Sequence, residues 1–360
     1  MANRRRNRGR PVNGIVVVDK MSGFSSNDVL QQVKRLFGAA KAGHTGSLDP
    51  LATGVLPVCL GEATKFSRFL LESDKSYRTV VQLGVQTTTG DAEGEVVEKR
   101  PVQVTRSDIE AVLTQFRGEI QQVPSMYSAL KHNGQPLYKL AREGIEVERP
   151  SRTVMIHRVE LIDFTGTQCV LEVDCSKGTY IRALAEDIGH ALGCLAYVAQ
   201  LRRIKAGPYE EQTAYTLEQL EAIKNNARSA ALSAEQATDL EALFGQMDEA
   251  GRDSLEADQL EQLKALSSQR NRAGNAALDA LLKPLDTAVS DWPEVMLGEH
   301  SSFYVLQGQP VLVPRAPTHG LVRLYGELQG QQAGRYFLGM GEIMDDGRVA
   351  PKRLVRTRIE

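Results

Sequence analysis

Cysteine is scarce and unpatterned in this chain. Four are present in 360 residues, Cys59, Cys169, Cys175 and Cys194. None stands in a Cys-x-x-Cys pair, and no histidine follows at zinc-finger spacing, which argues against a metal site and for buried free thiols. That usage fits a reducing cytoplasm. No apolar run reaches transmembrane length, and the N-terminus lacks the apolar segment of a secretory signal. There is no Gly-x-x-x-x-Gly-Lys phosphate loop, no dinucleotide glycine fingerprint and no His-Glu-x-x-His, so ATP, NAD and zinc have no support. An excess of charge of one sign is lacking as well. The net charge is -2, which does not advertise a polyanion binder.

The near-neutral sum hides segregation. Residues 1–10 carry five arginines and read as the start of a disordered basic arm over 1–11, either a solubilising tail or a nucleic-acid contact. Between Ser233 and Lys264, nine acidic residues face only Arg252 and Lys264, a net of -7. This acidic stretch lies in an insert over about 225–280, rich in Ala, Glu, Gln and Leu. Leu240, Leu243, Phe244 and Met247 follow helical spacing, as do Leu260, Leu263 and Leu266. A helical hairpin turning at Glu249–Asp253 is expected; a disordered acidic linker is the alternative.

Elsewhere strands and helices alternate irregularly. Gly14–Asp19 reads as a buried strand, with a helix capped by Ser25 or Ser26 after it. Strands are expected at Ser76–Val85, Arg152–Phe164 and Cys169–Cys175, and a helix from about Tyr180 to Leu192. Thr105 with Asp108 and Thr216 with Gln219 form capping pairs that open two further helices, the second running through Ile223. The fold class is α+β, with a mixed sheet and not a doubly wound parallel one. From Trp292, short apolar runs at 304–306, 311–313, 321–324 and 336–338 alternate with Gly and Pro turns, the pattern of a small β-barrel or sandwich.

Three segments are candidates for chemistry. The run Gly43–Pro57 holds three glycines, two prolines, Asp49 and His44 with no secondary-structure period. Such a loop constrains its backbone, and Asp49 is either a turn residue before Pro50 or a reactive carboxylate held in place. Tyr77 opens an apolar strand between Lys75 and Arg78; it is a core aromatic or a platform for a stacked base. Arg182 lies in the first turn of a helix, where the dipole disfavours a cation. It is a surface arginine, or a carboxylate or phosphate recruits it. Lys65 with Arg68, and Arg202-Arg203 with Lys205, read as solvated basic clusters.

Taken together, these segments resemble the TruB family of tRNA pseudouridine synthases, in the bacterial form with a C-terminal PUA-like domain. The resemblance rests on Gly43–Pro57, Gly61–Lys65, Lys75-Ser76-Tyr77, Lys177–Arg182 and Asp345–Pro351, in that order. It covers about 12–224 and 280–360 and fails in the arm and the insert. Met21 stands where the family usually has proline. The resemblance implies a catalytic domain over 12–290 and an RNA-binding PUA-like domain over 291–360. It implies isomerisation of uridine 55 in the tRNA T arm to pseudouridine, by flipping the base and remaking the glycosidic bond at carbon 5. Asp49 matches the catalytic aspartate, Tyr77 the stacking tyrosine and Arg182 the arginine that pairs with the aspartate. Lys65, Tyr180 and Leu201 match pocket residues, and His44 a histidine at the RNA loop. No metal or organic cofactor is implied. The expected partner is tRNA, with no membrane, a monomeric cytoplasmic enzyme, and a protein contact through the insert. Two rivals remain: an RNA-binding or RNA-folding module, which also stands as a second role, and a glycosidase, for which the sequence shows no second acid near Asp49.

Overall fold

The computed structural model describes residues 9–128, 130–250, 255–327 and 334–356. Most of the arginine arm, residues 1–8, lies outside them, as do 251–254 of the expected hairpin turn. At the edge of the arm the expectation of disorder fails. Arg10 donates to the Phe37 carbonyl at 3.0 Å and pairs with Asp279 at 2.7 Å.

A nine-stranded sheet organises most of the chain. Seven strands run in the order Gly14–Lys20, Thr53–Leu60, Ala196–Ala206, Lys75–Leu83, Gln168–Cys175, Arg152–Phe164 and Gly118–Gln122. The short strands Ala42–His44 and Tyr209–Glu210 pair at its margin. All pairings are antiparallel except one. Ala196–Ala206 runs parallel to Thr53–Leu60, with Arg203 opposite Gly54. The expected mixed sheet is therefore present, and it is largely antiparallel.

Strand composition explains the layering. Val16, Val18, Leu56, Val58 and Leu60 alternate onto one face and pack with the helices Ser26–Leu36 and Leu217–Ala230. Val81, Leu83, Val173, Leu171 and Leu201 pack with Ile181, Leu184 and Ile188 of the helix Ile181–Ala191. Ser25 caps the first of these helices, and Thr216 with Gln219 caps the second, in complete capping boxes. That second helix continues to Ala230, beyond the expected end at Ile223.

The acidic insert is ordered where described. Helices Ala234–Ala250 and Ala257–Asp279 form the hairpin, and Leu240, Leu243, Leu263 and Leu266 make a small core of their own.

The C-terminal part is a five-stranded sheet, ordered Glu294–Leu297, Gly320–Gly326, Tyr336–Ile343, Arg348–Leu354 and Val311–Leu312, and fits a PUA-like barrel. One expected strand is corrected. Tyr304–Leu306 ends a helix, Glu299–Leu306, entered at Gly298 with Glu299 in its first turn. Three apolar residues carry no period long enough to separate strand from helix. This sheet shares a core with the main one: Met340 is buried with Ile15, Val17 and Phe66, and the Phe66 ring lies 5.3 Å from Phe337.

Candidate active site

The Asp49 loop is clamped by its neighbours. Leu48 and Ala52 are buried in the main core and pin the loop on both sides of the carboxylate. The Ser26 hydroxyl accepts from the Leu48 amide at 2.7 Å. The Gly23 amide donates to the Pro50 carbonyl at 2.9 Å, and the Lys20 ammonium to the same oxygen at 3.2 Å. Lys20 is fully buried and also donates to the carbonyls of Met21 and Phe24. Burial lowers its pKa to about 8, against the pull of Asp49.

Asp49 itself is 39% exposed at its side chain, open to a substrate. Its partner comes from far along the chain. Arg182, on the helix Ile181–Ala191, stands 2.9 Å from the Asp49 carboxylate and is 5% exposed at its side chain. Asp91 meets the same guanidinium at 3.4 Å. The carbonyls of Thr89 and Tyr127 accept its remaining donors at 3.0 and 2.8 Å. The unfavourable placement of a cation in a first helical turn is thus offset by two carboxylates and two carbonyls.

Burial raises the Asp49 pKa above the usual carboxylate value; Arg182 opposes this, Asp91 adds to it and Lys20 opposes it. Desolvation therefore outweighs the ion pair. Glu93 is raised too, by burial and then by Asp91 and Asp49.

Tyr77 is half-buried against the main core, which also contains Leu201. The register places Leu201 opposite Thr79 and Arg203 opposite Tyr77. Residues two apart share a face in a strand, so Tyr77, Thr79, Leu201 and Arg203 form one patch. The Arg203 guanidinium lies near enough to the Tyr77 hydroxyl to act on its titration. Burial pushes the Tyr77 phenol up, and the Arg203 charge opposes that.

The other candidates are placed unequally. Tyr180 caps the helix that carries Arg182; its amide donates to Gln122 at 3.1 Å, and its ring lies 4.7 Å from the Arg152 guanidinium. His44 is half-buried, with Nδ1 buried and unpartnered among the described residues. Burial, then the Arg203 charge, lowers its pKa and favours a neutral ring. Lys65 is not brought to Asp49. Its ammonium pairs with Glu62 at 2.6 Å and donates to the Leu354 carbonyl at 2.8 Å, at the C-terminal sheet.

Lys20, Asp91 and Arg203 escaped sequence reasoning. Arg202 and Arg203 read as a solvated pair, yet they point to opposite faces. Arg202 pairs with Asp19 and Glu211, while Arg203 is 1% exposed. Strand alternation was the available signal. Asp91 lies in a polar turn whose sequence announces nothing; only the fold brings it to Arg182. Among the described residues no group of three or more His, Cys, Asp or Glu is placed to hold a metal ion, and no helix is long and apolar enough to cross a membrane.

A carboxylate on a clamped loop, gripped by a buried arginine on a mixed sheet, is the arrangement the resemblance to pseudouridine synthases implies. A chain of an H/ACA ribonucleoprotein bound to a substrate RNA containing 2'-deoxyuridine has this fold, with a TM-score of 0.61 at 22% identity over 99% of this chain and 93% of that one. A chain of an archaeal box H/ACA Nop10–Cbf5 complex matches at 0.61 and 21%, over 99% and 94%. Three family models tile the sequence: TruB family pseudouridylate synthase (N terminal domain) over 34–181, tRNA pseudouridylate synthase B C-terminal domain over 182–290, and pseudouridine synthase II TruB, C-terminal, over 293–355. The chain belongs to the TruB family of pseudouridylate synthases. The tRNA pseudouridine synthase B of Ectopseudomonas mendocina (strain ymp) is 52% identical over 348 residues, 97% of each chain. That of Aeromonas salmonicida (strain A449) is 49% identical over 356 residues, 99% of this chain and 98% of the other.

Proposed function

We propose that this protein isomerises uridine 55 in the T arm of tRNA to pseudouridine, with Asp49 as the catalytic group. The observation that carries this is the Asp49–Arg182 ion pair at 2.9 Å, in which the arginine is buried and the carboxylate is open. Relatives named tRNA pseudouridine synthase B supply the RNA class.

The chemistry requires the bond from N1 to the sugar to break, the uracil to turn, carbon 5 to join the sugar, and the carbon 5 proton to leave. A base inside a folded loop must first be extruded, at a cost of a few kcal/mol. Stacking on Tyr77 offsets part of this, by roughly 1–3 kcal/mol. Asp49 then attacks the anomeric carbon or the uracil ring, or acts as a base in an elimination; each route needs the ionised carboxylate. Arg182 keeps it aimed and favours that state against burial. Leu201 walls the pocket against water.

The division into a catalytic unit, 12–290, and an RNA-binding unit, 291–360, is part of this proposal, as are a cytoplasmic location and a monomer. The acidic hairpin would repel RNA, so it faces away from tRNA and meets a protein. A glycosidase needs a second carboxylic acid at the substrate. Asp91 shares Arg182 with Asp49, yet it is 3% exposed and accepts from the Thr89 hydroxyl and the Glu93 amide. It is not presented to a substrate.

The test is tritium release from tRNA carrying 5-labelled uridine. Asp49→Asn should abolish release while tRNA binding stays nearly intact. Full activity in that variant, or free uracil as the product, would sink the proposal.

A further inference from the structure

Arg203 is one of the largest fully buried side chains, at 1% exposure. Among the described residues no carboxylate lies within ion-pair distance of it. A buried guanidinium without a counter-ion is costly unless its donors are matched, so its acceptors are informative. Nε donates to the Val55 carbonyl at 2.7 Å, and a terminal nitrogen to the Gly46 carbonyl at 3.2 Å. Tyr77, its register partner, is the further polar group set beside it.

Gly46 and Val55 flank Asp49 on either side, so one side chain ties both ends of the loop. The backbone enforces the same point. Gly54 has φ +100°, and a Cβ there would lie 2.2 Å from the Arg203 carbonyl oxygen. Only glycine lets the loop exit so close to this strand. Tyr77 is meanwhile the register partner of Arg203 on the other side.

We propose that Arg203 is a positioning residue for the isomerisation, bridging the two ends of the Asp49 loop and the Tyr77 hydroxyl so that the carboxylate and the stacking ring share one anchor. The proposal rests on the roles given above to Asp49 and Tyr77. A fork-shaped donor suits acceptors in different directions; a lysine ammonium, a point donor on a flexible stem, does not reproduce the geometry. A misplacement of about 1 Å at reacting atoms costs on the order of 100-fold in rate.

Arg203→Lys and Tyr77→Phe, singly and combined, test this with full-length protein and tRNA. Arg203→Lys should lower the single-turnover rate by about 30-fold or more while KM stays within about threefold. The combined variant should lose at least about fivefold less than the product of the single losses, because both cut one bridge. A rate within threefold of wild type for Arg203→Lys, or losses that multiply fully, overturns the proposal. If Arg203→Lys does not fold, Tyr77→Phe decides alone: a rate at least about tenfold lower with unchanged tRNA affinity supports the bridge, and a rate within threefold overturns it. Asp49→Asn separates the two levels. If it stays active, the site assignment fails; if it is dead while Arg203→Lys is fast, only the positioning role fails.

Discussion

The Arg182 guanidinium stands 2.9 Å from the Asp49 carboxylate, and Asp49 nonetheless binds its proton more tightly than an ordinary aspartate. Burial outweighs the ion pair, and Asp91 shares the same arginine at 3.4 Å. Desolvation and the ion pair therefore pull on the Asp49 carboxylate in opposite directions, and desolvation is the larger.

Arg182→Lys should reveal that opposition. An active Asp49 must be charged, so the rate falls as pH drops through its raised pKa. A lysine contacts fewer of the four acceptors and opposes burial less, so the acid limb of the pH–rate profile moves to higher pH. The rate on the plateau should fall by on the order of 100-fold. Single-turnover rates from pH 5 to 8 check both.

Asp91→Asn should shift the acid limb the other way. Asp91 raises the Asp49 pKa, so removing its charge moves the limb to lower pH. The plateau should also drop, by roughly tenfold, because Arg182 loses one brace. Opposite limb shifts in these two variants would be hard to obtain from general damage; identical shifts would contradict the shared-arginine geometry.

Lys20→Met should change how stability depends on pH. The folded pKa of Lys20 is about 8, below its ordinary 10.5. The unfolded chain therefore holds the extra proton between those values, and the wild type gains stability as pH rises through them. Relative to Lys20→Met, the wild type should gain about 1.4 kcal/mol per pH unit from about pH 8 to 10.5. Urea unfolding of both proteins at several pH values measures the difference, in which buried thiols and phenols cancel.

Removing the tip of the acidic hairpin should leave catalysis within a few-fold. Gln269 donates to the Ala231 carbonyl at 2.7 Å, so residues 233–267 can be replaced by a short turn. The deleted core, Leu240, Leu243, Leu263 and Leu266, is separate from the main ones. A longer cut through Leu278 should unfold the enzyme, since Leu278 is buried against Val16 and Leu220. Tritium release and tRNA affinity of the shorter deletion are the readouts; a collapse in affinity would place the hairpin at the RNA.

Local signals were legible where the physics is local. Capping at Thr105 and Thr216, the strand Arg152–Phe164 and the hairpin helices follow from spacing within a dozen residues. The run at Tyr304–Leu306 was misread because a short apolar stretch satisfies either period. The partners of Lys65 were illegible for a different reason. A basic residue in a matching motif carries no record of which neighbour takes its charge, and here Glu62 and Leu354 do.

The sequence by itself determined the class of fold, the constrained loop around Asp49 and, through motif order, the family. Local period, glycine and proline act over a few residues and survive without a folded context. Only the tertiary structure decided that Arg182 grips both Asp49 and Asp91, that Arg203 is buried while Arg202 is not, and that Lys65 serves the C-terminal sheet. Desolvation and charge pairing depend on which distant segments exclude water together, and that is set by the packing of the whole sheet.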